Sequence, residues 1–179
     1  MYKFSSQLEN KAKRIKLIAM DVDGVLTAGE IILLANGEEL KIWNVKDRLG
    51  FHLARQVEGI KFAWITGRAS AEVTARAKEL NIEVVYQGCS KKLVVYEEIL
   101  RQFSLRPEEV VFVGDDLIDL PVLRRAGLSI CPLDAPEEVK KEVDYITSVP
   151  GGRGVIREVI ELVLKSQKLW DQATKDYFN

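Results

Sequence analysis

Histidine occurs once in this chain, as His52, and cysteine twice, as Cys89 and Cys131. A single histidine argues against a serine–histidine hydrolase unless His52 is itself the base. The two cysteines lie far apart with no metal-ligand spacing, which argues against a structural zinc site or a disulfide framework and leaves them as small buried residues. An excess of either charge is also missing. Lys plus Arg number 26 against 27 Asp plus Glu, and the net charge of −1 offers no global field to nucleic acid or to a membrane of anionic lipid. There is no long hydrophobic run either. Residues 1–14 are polar and basic, and the apolar run behind them is too short to span a bilayer, so no signal peptide is expected and the chain reads as cytoplasmic. Any anion has to be bound locally.

What is present suits one compact domain over residues 1–179: 47% of the residues are hydrophobic and 30% charged. A short leading helix up to residue 13 would place Leu8 and Ala12 inward. Apolar runs at 15–20, 60–65, 82–86, 110–113, 128–131 and 145–146 read as strands. Helical spacing is predicted over 46–57, 69–80, 91–103, 136–143 and 154–166, with Pro121 placed to open a further helix. Wholly apolar strands alternating with amphipathic helices predict a doubly wound parallel sheet of the α/β class, with ligands outside the carboxyl ends of the strands. A β-hairpin flap interrupts this pattern at about 29–44, where Asn36-Gly37 separates two β-rich runs. Ile31-Ile32-Leu33-Leu34 is apolar on both faces of its strand, which a lone flap cannot bury, so an oligomer contact is expected.

The chemistry is centred on Asp21-Val22-Asp23-Gly24-Val25-Leu26-Thr27, directly behind the first strand. Residues i and i+2 of an extended chain point the same way, so Asp21 and Asp23 lean over one edge of the sheet. Two like charges this close call for a metal, a proton, or both. A carboxylate can attack phosphorus, and a neighbouring acid can protonate the departing alcohol. The tetrapeptide alone is also compatible with an ordinary turn. A calcium loop has its glycine at position six, whereas here it falls at position four. Other strand ends add to the set. Thr66-Gly67 offers a hydroxyl and an amide at a predicted helix amino terminus, or else a plain helix cap. Lys92, in the first turn of its helix, either neutralises a phosphoryl group or is a solvated surface residue. Asp115 and Asp116 behind Gly114 would complete an oxygen site suited to magnesium, and Asp119 either joins them or caps the helix at Pro121.

In this order, DVDGVLT, ITGR, the lysine of QGCSKK, and GDDLID resemble the motifs of the haloacid dehalogenase superfamily of phosphohydrolases. The resemblance runs from about Ile15 to the helix after Gly154, and NGEELK and GGRG narrow it to small members without a large cap domain that act on the phosphate monoester of an eight-carbon sugar acid for lipopolysaccharide synthesis. It implies a magnesium-dependent phosphatase working through an aspartyl phosphate. Asp21 would be nucleophile and metal ligand, and Asp23 the acid and base that also binds metal through its carbonyl. Thr66, Gly67 and Lys92 would hold the phosphate, Asp115 would ligate magnesium, and Asp116 and Asp119 would support the site. Asn44, Val45, Lys46, Asp47 and Arg48, with Arg68 and Arg76 eight positions apart on one helix, would contact the sugar acid, whose carboxylate suits forked arginine donors. The family is a homotetramer in which the hairpin forms the contact.

The chain departs from the pattern at Lys46-Asp47-Arg48, where the family usually has Arg-Asp-Gly, and at His52, often Arg. Lys46 keeps the charge but loses the fork, and Arg48 adds bulk at the mouth, which bears on substrate identity and not on the reaction. The tail at 167–179 either enters a neighbour's site, as the family's tail can, or is disordered. The rival substrate is a nine-carbon sialic or deaminated sialic acid 9-phosphate, against which Arg68 weighs. A phosphoacceptor receiver-like signalling domain shares the acidic pocket, Thr and Lys, but places its acceptor on a middle strand and lacks a second acid two residues on. A catalytically idle, tetramerising homologue is argued against by the intact carboxylates.

Overall fold

Apolar strands and amphipathic helices alternate in the computed structural model, which describes residues 4–178. Residues 1–3, at the head of the expected leading helix, and residue 179, at the end of the tail, lie outside the described residues. In chain order α1 (Ser6–Ala12) leads into β1 (Leu17–Met20), and β2 (Ile32–Leu33) and β3 (Glu39–Leu40) make the hairpin. Then come α2 (Val45–Ala54), β4 (Lys61–Ile65), α3 (Ala71–Glu79), β5 (Val84–Tyr86), α4 (Lys92–Phe103) and β6 (Val110–Val113). The chain continues through α5 (Leu120–Leu123), β7 (Leu128–Cys131), α6 (Glu137–Lys140), β8 (Tyr145–Ile146), α7 (Val155–Ser166) and α8 (Trp170–Thr174).

Six strands pair in parallel in the order β5-β4-β1-β6-β7-β8. β1 is central and wholly buried, which is why its four residues are apolar on both faces. The chain builds outward from β1 to β5, crosses back, and resumes at β6 on the other side. The order therefore reverses between β1 and β6, and a crevice opens there at their carboxyl ends. On one face of the sheet Phe62 and Trp64 of β4 pack with Phe51 of α2 and Val159 of α7, with the Phe51 and Phe62 rings edge-on at 4.8 Å. On the other, Phe112 of β6 packs with Tyr96 and Ile99 of α4 and Val122 of α5. Each of these side chains stabilises the fold by about 1.5–3 kcal/mol through its removal from water. Among the described residues, no helix is long and apolar enough to cross a membrane.

The structure departs from expectation at several elements. The hairpin ladder is only two pairs long, Ile32 with Leu40 and Leu33 with Glu39, because the strand after Leu40 leaves the ladder to bury the Lys41 side chain. The predicted helix at 136–143 shrinks to the single turn Glu137–Lys140. The tail is neither disordered nor extended away from its own chain as far as Thr174. Trp170 stacks under the Arg157 and Lys165 cations, and Ala173 and Thr174 are buried.

Asp47 also differs from its expected role. It is buried, and its Oδ1 accepts the Arg157 backbone N–H at 2.8 Å, so it caps the amino terminus of α7 and is not presented to a substrate. Its neighbour Asn44 caps α2 by accepting from the Lys46 N–H at 2.9 Å and donates to the Gly152 carbonyl at 3.0 Å. Asn44 ties α2 to the turn before α7, and Asp47 ties it to the first turn of α7 itself.

Burial pushes the Asp47 carboxyl up from 3.8 to about 6, against the N–H bonds from Arg157 and Ile156. A carboxyl raised on folding holds its proton better in the folded chain, so its contribution to stability falls as pH rises from 3.8 to about 6. Asp47→Asn keeps an acceptor for the Arg157 N–H and cannot ionise. Urea midpoints measured across that window are expected to fall for the parent relative to the variant as pH rises. Parallel profiles would show that Asp47 carries none of the slope.

Candidate active site

Four sequence-predicted residues converge at the reversal point: Asp21 follows β1, Asp115 follows β6, Asp119 ends the single turn Leu117–Asp119, and Lys92 opens α4 from across the sheet. Thr66 follows β4, the strand beside β1. Lys92 is buried, and its Nζ lies 2.6 Å from Asp21 Oδ2 and 2.8 Å from Asp119 Oδ1. It is therefore no solvated surface lysine. Asp119 is fully buried, and its Oδ2 accepts the N–H groups of Asp115 at 3.0 Å and Asp116 at 3.3 Å. It holds the loop after β6 in place and makes no side-chain cap to α5.

Two glycines allow this approach. Gly24, at φ +85°, is left-handed, and a Cβ on it would land within the Asp115 carboxylate. A Cβ on Gly114 would collide with Asp119 in the same way.

Asp21, Asp115 and Asp119 each bring a carboxylate oxygen within 4.8 Å of the others. At an effective dielectric of about 20, each such pair repels by roughly 3 kcal/mol, more than one lysine offsets for three acids. The carboxyls respond accordingly. Burial, with the Asp119 charge, raises Asp21 to about 6 despite Lys92. Burial, then Asp21 and Asp119, raises Asp115 to about 8. Burial alone would lower the Lys92 ammonium, but Asp21 and Asp119 outweigh it and raise it. A cluster of hard oxygen donors with unmet negative charge fits a small divalent cation such as magnesium.

Asp23 faces a different partner. Its Oδ1 lies 2.5 Å from Lys41 Nζ and accepts the Thr27 hydroxyl at 3.4 Å, while its Oδ2 is buried and accepts no hydrogen bond. Lys41 in turn lies 2.7 Å from Glu39 Oε1, and Glu39 Oε2 lies 2.8 Å from Arg68 Nη2. The sequence reading missed Lys41 and Glu39. The available signal was their i, i+2 spacing along the extended run through Leu40, which puts both charges on the face opposite Leu40.

Other expected residues sit differently. Asp116 is exposed, and its Oδ1 caps the following turn by accepting the Leu117 N–H at 2.7 Å, so Asp119 and not Asp116 joins the acidic group. Thr66 is buried, but α3 begins only at Ala71 after its N-cap Ser70, so Thr66-Gly67 is not at a helix amino terminus. Thr66 Oγ1 instead accepts the Arg68 N–H at 3.3 Å within the loop. Arg68 also precedes α3 and shares no helix with Arg76. Arg76 lies over the Trp43 ring, 5.8 Å from its centroid, and bonds Glu79 at 2.6 Å, leaving a buried Nε without a hydrogen bond. Val45, Lys46 and Arg48 are exposed, Arg48 pairing with Glu79, and His52 is exposed beside Gln56.

A family model described as haloacid dehalogenase-like hydrolase matches residues 62–159. The 3-deoxy-D-manno-octulosonate 8-phosphate phosphatase KdsC of Salmonella typhi is 43% identical over 169 residues, which cover 94% of this chain and 89% of that one. Among solved structures, the phosphatase of that name from Moraxella catarrhalis, in complex with magnesium ion, phosphate ion and a KDO molecule, is 41% identical with a TM-score of 0.93, over 98% of this chain and 100% of that one. A probable YrbI family phosphatase from Pseudomonas syringae pv. phaseolica 1448a is 40% identical with a TM-score of 0.94, over 98% and 99%.

Removing Lys92 strips the cluster of its buried cation. In chelator at pH 7, Lys92→Met is expected to lower the unfolding free energy by about 3–5 kcal/mol. Adding Asp119→Asn should recover a good part of that loss. A loss for Lys92→Met below about 1 kcal/mol would mean the ion pairs are not coupled to folding.

Proposed function

We propose, for a chain that belongs to the haloacid dehalogenase-like hydrolase family, a magnesium-dependent phosphatase that hydrolyses 3-deoxy-D-manno-octulosonate 8-phosphate. The observation that carries this reading is the buried group Asp21, Asp115 and Asp119 around Lys92, on a chain 43% identical to a phosphatase of that substrate. The sugar acid places the activity in lipopolysaccharide precursor synthesis and, with it, in the cytoplasm. The relatives favour neither a nine-carbon sialic acid phosphate nor a phosphoacceptor signalling domain.

Asp21 and Asp115, with the Asp23 carbonyl, would hold the magnesium. When bound, the ion offsets the charge on these carboxylates and on the phosphoryl oxygens. Asp21 attacks phosphorus, the bond from phosphorus to the sugar oxygen breaks, and Asp23 gives that oxygen its proton. Water then attacks the aspartyl phosphate, losing its proton to Asp23, and phosphate leaves with Asp21 restored. Lys92 and Thr66 hold the phosphoryl group, and Lys92 also screens Asp21 from the charge of the incoming ester. Asp119 acts through Lys92 and the Asp115 amide. Arg68 has an exposed guanidinium that suits the sugar carboxylate, joined by Gly67 and, further out, by Lys46 and Arg48 at the mouth.

The chain assembles as a homotetramer through its hairpin. Support comes from the exposed apolar side chains Ile31, Leu33, Leu34 and Ile42, two of them 68% exposed. Sedimentation equilibrium is expected to return four times the chain mass, and Leu33→Asp with Ile42→Asp should lower it. A monomeric parent would remove this assembly.

With magnesium, phosphate release from 3-deoxy-D-manno-octulosonate 8-phosphate is expected to fall more than about 10³-fold in Asp21→Asn. Chelation should stop the parent and added magnesium should restore it. Parental turnover by Asp21→Asn would refute the nucleophile assignment. Equal or faster turnover of a nine-carbon sugar acid phosphate would refute the substrate.

A further inference from the structure

The acid and base in this reading, Asp23, is not positioned by the sheet that positions Asp21. It sits in the turn after β1, and the group that holds it comes from the hairpin. Lys41 reaches down from the end of β3 with its side chain fully buried, 2.5 Å from Asp23 Oδ1 and 2.7 Å from Glu39 Oε1. Nothing in the packing of the hairpin requires a lysine to be buried at that point. β3 and β2 share only two residue pairs, and their apolar side chains face outward. An ammonium withdrawn from water costs several kcal/mol unless it is paired, and here both partners are carboxylates.

The arrangement is asymmetric at the carboxylate. Oδ1 takes the Lys41 ammonium and, at 3.4 Å, the Thr27 hydroxyl, whereas Oδ2 is buried and accepts nothing. A buried carboxylate oxygen without a partner costs about 1–3 kcal/mol. A half-turn of the carboxylate would only exchange its two equivalent oxygens, so the contacts with Lys41 and Thr27 hold a geometry in which one oxygen is left without a donor. Resting on the phosphatase reading, we propose that Lys41 is a positioning residue: it pins Asp23 by Oδ1 so that Oδ2 alone faces the scissile oxygen and carries the proton. Beyond Lys41, Glu39 passes the constraint to Arg68 at 2.8 Å. The chain of charges Asp23, Lys41, Glu39, Arg68 alternates in sign and sums to zero, joining the turn after β1, the hairpin and the loop after β4. The hairpin is thus a wall of the site and not only a contact surface.

A pin on the proton donor and a staple on the hairpin differ in their dependence on the leaving group. kcat/KM reports the steps up to departure of the alcohol. Departure of a sugar alkoxide needs protonation, and departure of p-nitrophenolate needs little. Parent, Lys41→Met, Lys41→Arg and Asp23→Asn are compared with magnesium on the sugar acid phosphate and on p-nitrophenyl phosphate. Lys41→Met is expected to lose about 10- to 100-fold in kcat/KM on the sugar ester, at least about tenfold more than on the aryl ester. The loss should fall in kcat more than in KM, Asp23→Asn should show the same bias, and Lys41→Arg should recover part of it. The ratio of the two substrates does not depend on the folded fraction, so a destabilised variant still answers the question. Equal losses on both esters, or Lys41→Arg no better than Lys41→Met, would overturn the proposal while magnesium-dependent turnover by the parent upheld the phosphatase. A parent inactive on both esters would overturn both.

Discussion

The interaction on which the rest depends is the one between Lys92 and the carboxylates it is buried among. One ammonium stands 2.6 Å from Asp21 and 2.8 Å from Asp119, with Asp115 close by, so the group carries more negative than positive charge in a place with little water. Such a group persists only if the scaffold holds its members against their repulsion. β1 and β6 are neighbours in the sheet, so their carboxyl ends deliver Asp21 and Asp115 side by side with no choice of geometry. α4 returns from β5 on the far face and presents Lys92 at its first turn. The reversal of strand order is therefore what makes a three-acid, one-lysine cluster possible, and the residual charge is what makes it useful to a cation and a phosphate ester.

Close approach needs absent side chains as much as present ones. Gly24 leaves the space that the Asp115 carboxylate fills, and Gly114 leaves the space for Asp119. Gly151 backs the same loop from outside: a Cβ there would meet the Gly24 carbonyl, and the Gly152 N–H bonds the Val25 carbonyl at 3.0 Å. Asn44 then takes the Gly152 carbonyl from the α2 side. The turn bearing Asp21 and Asp23 is thus clamped by backbone on one side and by the loop after β6 on the other. A nucleophile at Asp21, as proposed, would require such rigidity, because misplacement by about 1 Å can cost 10²-fold in rate.

The legible part of this molecule was the part written locally. Four of the six sheet strands are short apolar runs bounded by turn residues, and Val110–Val113, Leu128–Cys131 and Tyr145–Ile146 coincide with their sequence ranges. The grouping of Asp21, Lys92 and Asp115 was legible because each follows or faces a strand end, and strand ends in a parallel sheet share one rim. The misreadings concern contacts that sequence separation conceals. Asp47 looked like a surface carboxylate beside Lys46 and Arg48, but its partner is an N–H 110 residues away. Arg68 and Arg76 looked like one helical face because nothing local shows that the helix waits for Ser70. Asp116 was expected beside Asp115 and Asp119 was left between the site and a helix cap; the fold of the turn sends Asp116 outward and Asp119 beneath Lys92.

The hairpin shows two demands on one strand. Its outer face leaves Ile31, Leu33 and Ile42 to solvent in a single chain, an arrangement stable for a monomer only at the cost of a sticky edge. Its inner face commits Glu39 and Lys41 to ion pairs with the Asp23 turn and with Arg68. A two-pair ladder is too short to hold its own register, since an isolated hairpin is marginal in water. The charges therefore fix the hairpin on the site, and the site in turn depends on where the hairpin is held. Because Lys41 directly follows the exposed Leu40, a contact that seated the outer face would also seat the ammonium against Asp23. The proposed assembly and the proposed proton transfer would then share one structural element.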